Sequence, residues 1–441
     1  MDVIGSLGSM LWSGVFFVIA LSIIVAVHEY GHYIVGRWCG IHAEVFSLGF
    51  GPVLVSRIDR RGTRWQIAAI PFGGYVKFLG DADAASVTSE LPAGLSERER
   101  RHTLAGAPLW ARALTVAAGP VANFLLTFAL LLGLIAGTGV VEDRPVVGRL
   151  LPLPQEQTLQ PGDVILAMNG TATPDSRAFG AALAALPRAP QIAFTVQRDG
   201  QEIALQAPHP QPALIAGVQV RSAAVDAGLQ AGDVILQADG RPMIAFADLQ
   251  DVVFGSGGAP VTLTVWREGQ TFDETLTPRR RDLPRADGSG FETNWMMGIA
   301  AGLTFDMAMR QPGPVETASL AVAQMWNMVT TTFSGLGHMI SGQISTCNMS
   351  GVVGMAETMG DAAKAGMTTF VSMLAVLSLG IGILNLFPIP VLDGGHLVFY
   401  AYEALAGRAP SEPVMRRLMT VGLTILIALM AFALLQDATC V

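Results

Sequence analysis

Residues 11–32 read LWSGVFFVIALSIIVAVHEYGH, and the rest of the chain is understood from them. No residue from 11 to 27 is charged, and the run then meets His28-Glu29-Tyr30-Gly31-His32. Two histidines four apart lie on one face of a helix, so both imidazoles can reach one zinc ion with the glutamate beside them as base. Ionisable side chains inside a membrane-length apolar helix are costly, so their presence marks function by default. The spacing predicts a zinc hydrolase with its metal sunk in the bilayer. Glu29 would take a proton from a metal-bound water whose pKa the ion lowers towards ~7.

Composition supports a membrane protein. Of 441 residues, 51% are hydrophobic and only 14% charged, and the mean hydropathy is +0.47; a soluble enzyme of this size rarely has such a balance. A net charge of −8 without basic clusters gives no support to nucleic-acid binding. Cys39, Cys347 and Cys440 are widely spaced and read as unpaired thiols or apolar filler. The N-terminal run lacks a preceding Lys or Arg and a following small-residue cleavage site, so it reads as a retained span and not as a signal peptide.

Four segments are apolar enough to cross a bilayer: 11–34, 109–136, 367–388 and 416–435. Arg37, Arg57, Arg60, Arg61, Arg64 and Lys77 crowd the first connection, and Arg408, Arg416 and Arg417 the last. The positive-inside rule puts both in the cytosol and the long stretch from Gly139 to about Gly366 outside. Residues 317–356 hold no charge but are broken by Met, Ser, Thr, Gly and Asn. A fifth span competes there with helices lying on the membrane surface, and mixed polarity favours the latter.

The outer stretch repeats with an offset of 70 residues. Gln160-Pro161-Gly162-Asp163-Val164-Ile165-Leu166 returns as Gln230-Ala231-Gly232-Asp233-Val234-Ile235-Leu236. Each copy continues through a helix (177–186; 245–253) into an alternating strand (192–197; 261–266) and a turn. Asp163 and Asp233 read as turn-forming residues, not as catalytic acids.

Two histidines leave a catalytic zinc short of a protein ligand. The run Asn385-Leu386-Phe387-Pro388-Ile389-Pro390-Val391-Leu392-Asp393-Gly394-Gly395-His396 offers Asp393, with His396 as a rival. The two prolines interrupt the helix, and irregular backbone at this depth is tolerated only in a cavity or against protein. Asp393 could instead cap a broken helix end. Asn385 could bind substrate backbone, polarise a scissile carbonyl, or satisfy a neighbouring helix.

HEYGH in one apolar span together with NLFPIPVLDGG in another resembles the site-2 protease family of intramembrane zinc metalloproteases. The repeat resembles tandem, circularly permuted PDZ domains, which narrows the match to the family's bacterial RseP-like branch. The resemblance implies one Zn2+ per chain held by His28, His32 and Asp393, with Glu29 as general base and acid. It also extends to Gly49-Phe50-Gly51-Pro52 and Ile70-Pro71-Phe72-Gly73-Gly74-Tyr75-Val76-Lys77, a membrane-associated β-loop region. Gly49, Phe50, Gly51, Gly73, Gly74 and Asn385 are thus candidate substrate-binding residues. Trp65, Ile67 and Ala69 alternate as in a strand whose edge could pair with an unwound substrate. Gly119-Pro120-Val121-Ala122-Asn123 matches too, with Asn123 orienting a loop or serving helix packing. Val352 departs from a proline frequent in relatives after Ser350-Gly351.

The expected architecture is a polytopic α-helical membrane protein with about four transmembrane helices, a membrane-associated β-hairpin region and two β-rich PDZ-like domains. Its parts are helix one with HEYGH (1–36), the β-loop region (37–107), helix two (108–138), PDZ-like domains (139–209 and 210–282), a linker with surface helices (283–365), helix three leading into LDGG (366–392), and a cytosolic loop with helix four (393–441). The resemblance implies a bacterial inner membrane, PDZ-like domains in the periplasm and HEYGH near the cytosol. It implies regulated intramembrane proteolysis of single-span membrane proteins already trimmed by another protease, such as anti-sigma factors, and of leftover signal peptides. Two other readings remain open, a non-catalytic PDZ adaptor and a zinc peptidase of the membrane surface. An adaptor predicts no cleavage, and a surface peptidase predicts cleavage in loops.

Overall fold

The computed structural model describes residues 3–80, 100–219, 222–284, 291–344 and 350–439. Cys347 and Cys440 lie outside these, and Cys39 is a free thiol. The chain forms two compact units, one of Met1–Leu134, Val315–Leu336 and Thr346–Val441, the other of Ile135–Pro314 and Gly337–Ser345.

In the first unit, four helices among the described residues are long and apolar enough to cross a membrane: Met10–Trp38, Leu109–Thr138, Met367–Asn385 and Glu412–Thr439. Even the shortest, 19 residues, rises about 28 Å at ~1.5 Å per residue, close to the thickness of a hydrocarbon core. Large apolar side chains such as Val15, Ile19, Ile23, Leu114 and Leu125 face outward, as a lipid-facing surface requires. The uncharged stretch 317–356 is not one of these spans. Among its described residues, two helices take up most of it, Pro314–Ile340 and Val352–Lys364. The second of these is more than a surface helix. Met359 is fully buried with Phe17, Ala20, Ile24 and Leu374, and the Trp12 indole donates to the Gly360 carbonyl at 3.2 Å.

The β-loop region is two long antiparallel strands, Ala43–Ile58 and Arg64–Phe78. Each bends so that residues 45–48 lie between 74–77 on one side and 64–67 on the other, while 64–67 also pair with 55–58. The strand bearing Trp65 and Ile67 is therefore paired on both sides. Its edge is closed to a peptide, contrary to the sequence expectation, because the chain doubles back at Gly49 and Gly51, both with φ above +80°. Among the described residues the outer segments, each paired on one side only, are 74–78 and 55–58.

The second unit holds two β-rich modules, each with its own core. One sheet contains Val164–Met168, Gln191–Arg198 and Gln201–Pro208, and its core includes Ile165, Phe179, Phe194 and Val196. The other contains Val234–Ala238, Val261–Arg267 and Gln270–Leu276 around Ile235, Leu249, Leu263 and Val265. The repeated aspartates are structural. Asp163 accepts from Arg198 Nε and Nη2 and from the Gln160 N–H, and Asp233 accepts the same three bonds from Arg267 and Gln230. Residues expected as linker after 282 form strands: Ile299–Ala301 pairs with Ile215–Val218, and Phe305–Met307 pairs with Val147–Leu150. They form separate two-stranded pairs, which give the strands at 147–150 and 215–218 the partners an edge needs. The second module is thus nested inside the first.

Candidate metal centre

Stretches far apart in the chain meet at a cavity of about 320 Å3 in the first unit. His28, Glu29 and His32 line it from the helix Val3–Trp38, and Asp393 from the start of the helix Asp393–Ala406. The spacing of four puts both imidazoles on one face. The carboxylate is delivered by a broken helix. Pro388 and Pro390 lack the N–H groups that would continue Met367–Asn385, so the chain turns through 386–392 and begins again at Asp393. Gly394 and Gly395 pack directly on the Leu386 and Ile389 carbonyls, where a Cβ would collide, and this holds the turn tightly against the new helix.

His28 Nε2 lies 3.2 Å from His32 Nε2 and 3.2 Å from Asp393 Oδ2, and His32 Nε2 lies 3.5 Å from the same oxygen. A tetrahedral ion with bonds of about 2.0–2.1 Å sets its ligand atoms roughly 3.3 Å apart. The triangle has that size. Asp393 Oδ2 is buried facing both nitrogens without a well-formed hydrogen bond among the described residues. Two imidazole nitrogens and a carboxylate oxygen are a donor set that suits zinc. Among the described residues, no other group of His, Cys, Asp and Glu side chains could hold a metal.

The far sides of the two rings are also held. His32 Nδ1 is 2.8 Å from the Thr115 carbonyl, which as an acceptor keeps the proton on Nδ1 and the lone pair on Nε2. His28 Nδ1 is 3.2 Å from Asn123 Nδ2. Both partners belong to the helix Leu109–Thr138, which approaches closely because Gly119 lies against the two imidazoles. The sequence placed Asn123 beside a loop or in helix packing; here it touches a histidine. Thr115 acts through its backbone, so its side chain gives no sequence signal.

The remaining candidates divide. Gly74 and Asn385 line the cavity, and His396 does so outside the three-atom group. Asn385 Nδ2 donates to the Ile381 carbonyl at 3.0 Å. Gly49, Phe50, Gly51 and Gly73 do not line it: Gly49, Gly51 and Gly73 hold positive-φ turns and Phe50 stacks on Tyr75. Their effect on the site is to shape the strand. Gly74, Tyr75, Val76 and Phe78 present one of the two outer edges to the cavity, and the Val76 N–H is hydrogen-bonded to Glu29.

Histidines and a carboxylate converging among apolar helices, beside a glutamate, define a membrane-embedded metallohydrolase. Comparison with known proteins makes this specific. The model of peptidase family M50 matches residues 16–429. The chain is 36% identical to the regulator of sigma-E protease RseP of Salmonella typhimurium, over 97% of this chain and 99% of that one. It is 34% identical to RseP of Escherichia coli over the same shares. It is 35% identical to a protein of Agrobacterium fabrum provisionally named a zinc metalloprotease, over 96% and 94%. The chain belongs to peptidase family M50, the site-2 protease family, and is a zinc metalloprotease of that type.

Proposed function

We propose that His28, His32 and Asp393 hold one Zn2+ per chain and that Glu29 is the general base and acid of an intramembrane endopeptidase. The observation that carries this reading is the triangle of 3.2, 3.2 and 3.5 Å between the three donor atoms, with Glu29 on the same cavity wall. Bound zinc supplies a Lewis acid and a water acidic enough to lose its proton near neutrality. Glu29 would take a proton from the attacking water and return it to the leaving amine. The open edge at 74–78 receives the substrate. A helix hides its peptide bonds in i→i−4 hydrogen bonds, and a segment unwound from a helix regains partners by pairing with a strand edge. Asn385, at the cavity, is placed to hold substrate backbone.

The two modules of the second unit are PDZ-like and select substrates outside the cytosol. Arg37, Arg57, Arg60, Arg61 and Arg64 support a position of the HEYGH end of the first helix on the cytosolic face of a bacterial inner membrane. The relatives' name, regulator of sigma-E protease, supports membrane-anchored anti-sigma factors as the substrate class, already trimmed by another protease; leftover signal peptides are a second class.

The test is paired. Glu29→Gln keeps the size of the side chain but cannot accept a proton. Zinc content near one per chain in both parent and variant, with cleavage of a model transmembrane substrate by the parent alone, is the expected result. Normal turnover by the variant would remove Glu29 from the mechanism, and cleavage confined to loop sites would move the activity to the membrane surface.

A further inference from the structure

Asn123 is fully buried, and its amide presents two ends of unlike chemistry. Nδ2 stands 3.2 Å from His28 Nδ1, while Oδ1 is buried without a hydrogen-bond partner among the described residues. An amide N–H facing Nδ1 needs a lone pair there. In that orientation the single proton of the neutral ring would sit on Nε2. A protonated Nε2 cannot be a metal ligand. His32, the other imidazole, is arranged the opposite way, with Nδ1 on the Thr115 carbonyl.

A half-turn of the amide about its Cβ–Cγ bond exchanges Oδ1 and Nδ2 at nearly the same positions. Oδ1 then accepts from His28 Nδ1–H, and Nε2 offers its lone pair to the site. We infer that Asn123 is the positioning residue of His28: its amide oxygen, turned to the ring, accepts from Nδ1–H and leaves the Nε2 lone pair for zinc. The inference rests on His28 being a zinc ligand, as proposed above. A backbone carbonyl, as at Thr115, can serve only the ligand tautomer. An asparagine serves it through Oδ1. The Asn123 main chain is fixed, since its carbonyl accepts from the Thr127 and Ser378 hydroxyls at 3.0 Å each, and this holds the side chain beside the ring.

The experiment measures zinc affinity of the full-length protein in detergent, by competition with a chromophoric chelator, alongside thermal unfolding of metal-depleted samples. Asn123→Leu has similar bulk and no polar atom; loss of an orienting partner of this kind costs about 10- to 100-fold in metal affinity, and that is the expected loss. Asn123→Asp can only accept, so it holds His28 in the ligand tautomer, and affinity at or above that of the parent is expected. Affinity of Asn123→Leu within about threefold of the parent, or Asn123→Asp as weak as Asn123→Leu, would overturn the inference. So would equal losses that follow lowered stability of the metal-depleted protein. Should Asn123→Leu fail to fold, Asn123→Ser, too short to span the contact, takes its place with the same expectation. His28→Ala separates the two readings. If it binds zinc as the parent does, His28 is not a ligand and the proposed site fails first, taking this inference with it.

Discussion

A methyl group at position 119 would stand 2.8 Å from His28 Nε2 and nearer still to His32 Nε2. Real side chains do not approach that closely, so either the helix Leu109–Thr138 backs away or the imidazoles rotate out of their triangle. Gly119→Ala is therefore expected to lower zinc affinity at least about tenfold, in the range seen for lost supporting contacts. Gly133→Ala on the same helix meets nothing within 4 Å and serves as the control; zinc titration of both variants checks the prediction. In the sequence, Gly119 reads as a helix-packing residue and nothing more. His28, Glu29 and His32 are legible because their spacing is local. Gly119 and Thr115 matter through a contact across 83 or more positions of chain, as in the His32–Thr115 bond, and local patterns carry no trace of it.

Elements meet here through their ends. The helix Val352–Lys364 begins at a glycine, and the carboxylate of Asp437 accepts from the Gly351, Val353 and Gly354 N–H groups at 2.9, 3.1 and 3.2 Å. An acid from the helix Glu412–Thr439 thus caps another helix from a distance, where a local Ser or Asp ordinarily would. Val352 is the first helical residue, and its N–H is not among the three bonds. A proline is tolerated there for the same reason, so the departure at Val352 leaves the cap unchanged. Removing the cap by Asp437→Ala is expected to cost about 1–2 kcal/mol, read as a lower thermal midpoint with zinc content unchanged. The strands teach the complementary lesson. Alternation identified 64–70 as a strand, yet alternation says nothing about which edge stays open, and that was decided by the turns at Gly49 and Gly51.

For the molecule as a whole, the repeat at an offset of 70 residues announced two modules, and two separate apolar cores are present. The return of 305–310 to the first module was hidden, because short strands of two or three residues carry too little pattern to be seen. With its own apolar cores, the segment 140–310 is expected to fold when expressed alone, as judged by dispersed amide resonances and a cooperative melt. That melt should be acid-sensitive. Burial alone would raise the Asp163 carboxyl, but hydrogen bonds from Arg198 and the Gln160 N–H more than offset it and hold its pKa below the usual carboxylate range. A depressed folded value means stability that is whole above the unfolded pKa, ~3.9, and is lost as pH falls through the folded one. The midpoint should therefore drop below about pH 4, and less so in Asp163→Asn, which starts lower. The segment 140–310 has a further property. Val140 and Val141 pair with Arg310 and Met309, so the chain enters and leaves at one place. An insert whose two ends coincide is a cassette. Over generations it can be exchanged, duplicated or lost without re-threading the apolar helices on either side, and whatever task it serves can change while the histidine-bearing helix is inherited intact.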